Sequence, residues 1–401
     1  MAKRKLSKAS RFERMFKVWE YLRRNTDSEH PTTQAIMRES HISEFLGNKE
    51  TFNRLIKDMA RTMNQDEYGY KSEENWKIYF HDFKKFYGDN TVESDLDEDN
   101  LDEDEKYEGY MSESMRIDGL YYNRTFSYDE INNLIEGILA TKTIDTKSAN
   151  DLIKKIEDNL TTIYYKRGPK QICKVQEPEL VDRELLRENL LTIQKAIDNN
   201  VQVSFRFNGY TYKKKLEPVR KSKDVVSPYY IVASGGKYYL LACMEGKSNM
   251  SIWRIDLMTD IEIPGENEKV GIGGNPRTPK GKVENLPLEW SEDFQLKHLN
   301  MSFDKPKWIT LRIKSVKKTD DPTERVRPDY TFLHDWFGNN FRYIRSEQEA
   351  PYDDIVKIEC SPYAMVNWAL QYSDRVEVIE PEDVRNTVIE KIMNLNAKYF
   401  I

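Results

Sequence analysis

Cysteine is scarce in this chain. Its three residues, Cys173, Cys243 and Cys360, are far apart and odd in number. That excludes a disulfide framework and points to a reducing compartment, the cytoplasm. No Cys-x-x-Cys occurs, and the five histidines fall into no His-x-x-x-His or His-Glu-x-x-His spacing, so a metal site has no support. No apolar run approaches the roughly 18 residues that span a bilayer. The opening MAKRKLSKASRFERMF carries charge but no apolar stretch, so a secretory signal is not expected. Gly-x-Ser-x-Gly, a Walker loop and a recognisable Cys-His arrangement are missing as well. The GIGG at Gly271 to Gly274 lacks the strand-then-helix context of a dinucleotide fingerprint. The carboxylates between Asp97 and Asp104 lie in a flexible run that cannot hold a proton-transfer geometry. The expectation is a non-enzyme with no catalytic residues, cofactor, metal or membrane partner.

What is present is charge, unevenly placed. Residues 1–61 hold 14 Lys+Arg against 8 Asp+Glu, a net +6, whereas residues 89–108 hold 11 Asp+Glu against one Lys, a net −10. A basic head beside an acidic run points to an anionic partner for the head. The acidic run buries too little apolar surface to offset chain entropy and reads as a mobile tether.

Within the head, Phe12, Met15, Phe16, Trp19 and Leu22 recur at helical spacing and predict a helix over 11–24. Pro31-Thr32-Thr33 starts a short second helix through Glu39, with Ile36 and Met37 facing the core. After a break over Ser40 to Gly47, a third helix covers Lys49 to Met63, burying Phe52, Leu55, Ile56 and Met59. Helix, short helix, turn, helix is the order of a helix-turn-helix unit. Lys49, Thr51, Asn53, Arg54, Lys57 and Arg61 lie off the buried stripe. They are the candidate DNA contacts, because such side chains reach phosphates and base edges. The aromatic-rich 66–87 reads as core or as the wing of a winged helix.

Two more helices follow. One is capped by Ser127 with Glu130 completing a capping box, its stripe being Ile131, Leu134, Ile135, Ile138 and Leu139. The other is capped near Thr146, with Leu152, Ile153, Ile156 and Leu160. The pair packs either within the chain or across a homodimer. Glu179 to Asp198 predicts a further helix, and strands begin at Val201. Asn208-Gly209 reads as a hairpin turn returning through Tyr210 to Lys214, and Gly235-Gly236 as a second tight turn between apolar strands. About five short strands close most economically as a small SH3-like or Sm-like barrel. A Gly/Pro-rich linker follows over 265–285. The C-terminal part is expected to hold a helix near Leu288 to His298 and strands at 308–313, 341–344, 355–360 and 376–379. Helices are expected from Ser361 or Pro362 and from Pro381, giving an α+β, ferredoxin-like layer.

Tyr238-Tyr239-Leu240, Trp253-Arg254-Ile255-Asp256 and Leu216-Glu217-Pro218 together resemble the WYL domain of bacterial transcription regulators. The third helix and the Val-Glu-Val-Ile-Glu-Pro run before the last helix are similar to other parts of the same family. The resemblance implies a multidomain α+β chain. Its parts are a winged helix-turn-helix over 1–88, an acidic linker over 89–120, a helical connector over 121–200, a WYL barrel over 201–264, the linker 265–285, and a C-terminal extension over 286–401. It also implies a barrel face that binds an anionic ligand, a nucleotide or single-stranded nucleic acid, and thereby modulates DNA binding. Tyr239 and Arg254 match directly, and Lys214 stands where an Arg is common. Arg206, Lys237 and Tyr230 are further candidates. Three departures stand out: Leu55 replaces the usual Asp of the recognition helix, Leu257 a second Arg, and Phe207 a frequent Tyr. Arg254, a lone cation in an apolar strand, is expected to reach solvent or an anion, since an unpaired buried charge is costly.

Two function classes follow. One is a cytoplasmic, homodimeric, ligand-sensing transcription regulator that binds double-stranded DNA. The other is an accessory RNA- or single-stranded-DNA-binding protein that modulates a nucleic-acid-guided or other phage-defence system. The helix-turn-helix pattern favours the first.

Overall fold

A computed structural model describes residues 9–67, 69–83, 116–168, 172, 174, 182–267, 272–316, 327–349 and 351–400. The expected acidic tether over 89–108 lies outside the described residues. The chain divides into two units, 1–178 and 179–401.

In the first unit, α1 (Arg11–Asn25) is capped by the Ser10 hydroxyl, which accepts from the Glu13 amide. Its buried residues are Val18 and Leu22, while Phe12 and Phe16 stand 79% and 46% exposed. The apolar stripe expected over Phe12, Met15 and Phe16 is therefore only partly used. Val18 takes the core position and Met15 packs against the same core, while Phe12 and Phe16 point away from it. α2 (Gln34–Arg38), capped by Thr33, buries Met37 and leaves Ile36 52% exposed, against the expectation that both face inward. Two consecutive residues on a one-turn helix point about 100° apart, so only one can face the core. The expected break holds a further one-turn helix, α3 (Ser43–Leu46).

α4 (Lys49–Asn64) buries Phe52, Leu55, Ile56 and Met59 as predicted, together with Ala60 and Asn64. The short strands β1 (Gln65–Asp66) and β2 (Gly69–Tyr70) pair directly after it. Asn64 is buried, and its amide group fastens the end of α4 to β3 (Ile78–Tyr79). Nδ2 donates to the Ile78 carbonyl, and Oδ1 accepts from the Lys77 and Ile78 amides. Trp76, Phe80 and Phe83 are core residues. β4 (Tyr121–Tyr122) pairs with β3, and Leu120 is buried in the same core. Ile117 and Leu120, which fall in the stretch expected as linker, therefore pack in this core.

α5 (Tyr128–Ala140) opens with the predicted Ser127/Glu130 capping box, and α6 (Thr146–Leu160) is capped by Asp145. They close on Ile131, Ile135 and Ile153. Polar contacts hold the pair to α1: the Tyr128 hydroxyl donates to Asp27, and Arg23 donates to the Asn159 carbonyl. Leu134 and Leu152, expected in the stripes, are 44% and 39% exposed.

In the second unit, α7 (Arg183–Asp198) starts at an Asp182 cap, four residues later than expected. The sheet contains β5 (Val203–Tyr210), β6 (Leu216–Pro218), β7 (Asp224–Ser234), β8 (Lys237–Met244), β9 (Met250–Arg254) and β10 (Met258–Glu262). All neighbours are antiparallel in the order β10-β5-β7-β8-β9, with β6 beside β5. Among the described residues no ladder joins β9 to β10, so the sheet curls as a half-barrel rather than closing. Gly235 and Gly236, both at positive φ, make the β7–β8 turn as read from sequence.

Asn208-Gly209 is not a turn. β5 runs straight through it and reverses only at Thr211 to Lys214, where Lys214 takes a φ of 59°. The cause is tertiary. The buried Asn208 amide donates to the Arg206 and Leu257 carbonyls and to the Thr259 hydroxyl. Those bonds tie β5 to β10 and outweigh the local turn preference.

One face of this sheet packs Val203, Phe205, Leu240 and Trp253 on Ile193 and Ala196 of α7. The other presents Tyr229, Leu241 and Met250 to Val283, Leu286, Phe294 and Met301. The expected linker 265–285 is thus laid along the sheet in its second half. The Gln202 amide donates to the Asn275 carbonyl, and the Thr278 amide to the Ser227 hydroxyl. Its first half holds the short pair β11 (Glu266–Asn267) and β12 (Ile272–Gly273). The helix expected at 288–298 shrinks to α8 (Phe294–Lys297), because Leu288 and Trp290 remain exposed.

The rest of the unit runs β13 (Lys307–Ile313), β14 (Ser315–Val316), β15 (Arg327–Pro328), α9 (Thr331–Phe337), β16 (Phe341–Ser346), β17 (Asp354–Cys360), α10 (Pro362–Gln371), β18 (Val376–Glu380) and α11 (Glu382–Tyr399). Its main sheet orders β16-β17-β13-β18. Leaving aside the small β14–β15 pair, the chain follows a β-α-β-β-α-β order, the split β-α-β arrangement. Ile309, Leu311, Val356, Ile358, Phe337 and Trp368 form its core. α9 had no counterpart in the sequence reading, where only the flanking strands were periodic enough to see.

Candidate functional site

Two groups of sequence-selected residues have defined surroundings. The first is the polar side of α4. Asn48 caps the helix by accepting from the Thr51 amide, which fixes where its first turn begins. Lys49, Arg54 and Arg61 are exposed, and Thr51, Asn53 and Lys57 are half-buried. Lys49, Asn53, Lys57 and Arg61 recur every fourth residue, a row that drifts about 40° per step along one side and borders the buried Phe52, Leu55, Ile56 and Met59. Asp58 is held by Arg11 of α1. That pairing engages one of the two carboxylates of α4; the other, Glu50, is exposed in the first turn, against the four cations Lys49, Arg54, Lys57 and Arg61.

The second group lies at the end of β9. Tyr239 and Arg254 are paired residues of β8 and β9, and Lys237 lies two residues before Tyr239 on the same face. Arg254 is not alone. Its Nε donates to Asp256 Oδ1 at 3.1 Å and its Nη2 to Oδ2 at 2.5 Å. Lys237 Nζ stands 3.9 Å from the same Oδ2. Asp256 is buried, and the Arg254 side chain is about one-third exposed. Arg254 thus reaches an anion, as expected of a cation in an apolar strand, but the anion is Asp256 of the chain itself, held through a short bidentate pair. Hydrogen bonding to Asp256 raises the Arg254 pKa further, against its burial. Burial raises the Tyr239 pKa, and Arg254 opposes that shift. Lys237, Tyr239 and Arg254 thus surround one carboxylate.

The other candidates lie elsewhere. Arg206 is engaged by Asp260 at 3.0 Å and by the Lys221 carbonyl. Lys214 is exposed in the β5–β6 turn, and among the described residues nothing joins its ammonium to the cluster. The Tyr230 hydroxyl donates to the Pro287 and Leu288 carbonyls and accepts from Lys280, so it ties down the covering segment. Leu257 is buried, and Phe207 meets Trp253 edge to face at 5.1 Å. Asp256 closes the Trp253-Arg254-Ile255-Asp256 motif, and its part as counter-ion lies beyond what the motif alone implies. The Arg-x-Asp spacing was the available signal, although Asp256 lies in the single 3-10 turn Ile255–Leu257 just past β9 and not on the strand itself.

Residues 188–263 match the WYL domain family, from within α7 through the end of β10. The chain therefore carries a WYL domain, and the cluster around Asp256 belongs to it. Among solved structures, the chain is similar to the proteasome accessory factor B/C (PafBC) of Arthrobacter aurescens. That match has 14% identity and a TM-score of 0.22, and covers 71% of this chain and 39% of that one. It is also similar to a CRISPR Cas-related protein, with 15% identity and a TM-score of 0.31, covering 97% and 92% of the two chains. No curated protein matches. No helix among the described residues is long and apolar enough to cross a membrane.

Proposed function

We propose that this chain is a DNA-binding transcription regulator in which the WYL domain senses an anionic ligand. In this reading α4 is the recognition helix of a winged helix-turn-helix, and β1–β2 is its abbreviated wing. The observation that carries the reading is the side of α4 that holds the row Lys49, Asn53, Lys57 and Arg61, bordering its buried stripe, with the exposed Arg54 beyond it. Such a side suits the phosphate backbone, which supplies most of the affinity, and it adds an amide for base edges.

The sensing step follows from the bidentate pair. Asp256 occupies the guanidinium that a nucleotide phosphate or a single-stranded nucleic-acid backbone would seek. A ligand gains only the difference between its own contacts and those of Asp256. Lys237 adds positive charge and Tyr239 a ring and hydroxyl at the same place. A homodimer would present two such helices to two half-sites.

The accessory RNA- or single-stranded-DNA-binding reading is separated from this one by a binding comparison. Anisotropy titrations of the full chain at stated salt should show duplex DNA bound more tightly than single strands of the same length. Preference for single strands would transfer the proposal to the accessory role. No salt-dependent affinity for any nucleic acid would remove both readings.

A further inference from the structure

The half-barrel has an edge at β9, and beside that edge lies a cavity of about 480 Å³. Its walls are Phe207 from β5, Val219 just past β6, Met250, Ile252 and Trp253 from β9, and Phe303 from the segment before β13. The volume falls within the roughly 300–1,000 Å³ of small-molecule sites. Val219 and Phe303 are each 60% exposed, so large apolar side chains border the concavity and meet water. An occupant with an apolar body would remove that surface from water.

The charge of the lining has one sign. Arg220 and Lys247 line the cavity, and no carboxylate does. Arg220 is steadied by the buried Asp224, Nη1 to Oδ1 at 2.9 Å. Lys247 is exposed, and among the described residues its ammonium has no partner. Trp253 is fixed in the wall because its Nε1 donates to the Ser251 hydroxyl, which in turn donates to the Ala242 carbonyl. Lys237, Tyr239, Arg254 and Asp256 do not line this cavity.

We propose that this cavity is a second ligand site, one that takes a small amphipathic anion. The ligand is a ring system or short acyl chain seated on Trp253, Ile252 and Phe207, with one anionic group meeting Lys247 and Arg220. Apolar burial supplies affinity for the body, and the two cations select against neutral and cationic analogues.

The test is calorimetric titration of the full chain with octanoate and with octylamine, which share a body and differ in head charge. Octanoate should bind saturably, and octylamine about tenfold more weakly or not at all, one charge-assisted contact being worth that much. Lys247→Glu should weaken octanoate about tenfold and narrow or reverse the preference. Val219→Trp, which fills the mouth, should abolish binding of both. Both residues are exposed, so unchanged melting temperatures are expected and show that the fold is kept. Equal binding of octanoate and octylamine would overturn the proposal, as would wild-type octanoate affinity in both variants or no saturable octanoate binding in the millimolar range. None of these results bears on duplex binding by α4.

Discussion

Arg254 and Asp256 stand two residues apart, and under the proposed sensing role their pairing is what an anionic ligand has to displace. Removing the negative charge while keeping the shape should free the cation. Asp256→Asn is expected to raise affinity for a nucleotide or short oligonucleotide by about tenfold, the scale of one charge-assisted hydrogen bond. Arg254→Ala should remove the response. Titrating both variants with the same oligonucleotide measures this, and equal affinities in both would take Arg254 out of the ligand contact. The sequence showed Arg254 and its anion chemistry but not its counter-ion, because pairing is a matter of rotamers and burial rather than composition. A second residue-scale expectation concerns His298. It is buried, stacks on Phe294 at 4.2 Å and bonds the Ser302 carbonyl through Nδ1 at 2.7 Å. Burial holds its pKa below the ordinary histidine value. The stability of the neutral ring is therefore complete above the unfolded value of about 6.5 and is lost as pH falls through that value toward the lower folded one. Melting temperatures of His298→Gln should change less between about pH 7 and 5 than those of the wild type.

At the scale of elements, strongly periodic segments were legible and short ones were not. The stripe of α4 and the Ser127/Glu130 box were read with the right residues, because each is a local pattern enforced by helix geometry. Losing the box in Ser127→Ala should cost about 1 kcal/mol, readable by chemical denaturation. Only the Glu130 half of the box titrates: its bonds from Ser127 lower its pKa, so that half is present above the ordinary carboxylate range and weakens on acidification below it, while the Ser127 oxygen goes on accepting from the Glu130 amide. The errors have physical causes. Phe12 and Phe16 belong to the apolar pattern of α1 but lie beyond the reach of its core. Asn208-Gly209 carries a strong turn signal, yet Asn208 is spent on holding β10. α2, α3 and α8 are too short for periodicity to fix which side is buried.

At the scale of the whole molecule, the strand content of the second unit and the WYL motifs were visible in the sequence. The open edge at β9 and the path of 275–301 across the sheet were not. Both depend on contacts between segments distant in sequence, and alternation within a single strand carries no information about them. The cavity beside β9 went unseen for the same reason, since Phe207, Val219, Trp253 and Phe303 come from four places in the chain. The central claim is that α4 grips duplex DNA through its cationic side. It is tested most directly by the salt dependence of duplex binding, measured by fluorescence anisotropy on the full chain and on Arg54→Ala/Arg61→Ala. The account predicts that log affinity falls linearly with log salt in the wild type, and that the double variant binds more weakly on every duplex with a slope shallower by about two. A wild type whose binding does not depend on salt, or a double variant with an unchanged slope, would contradict it.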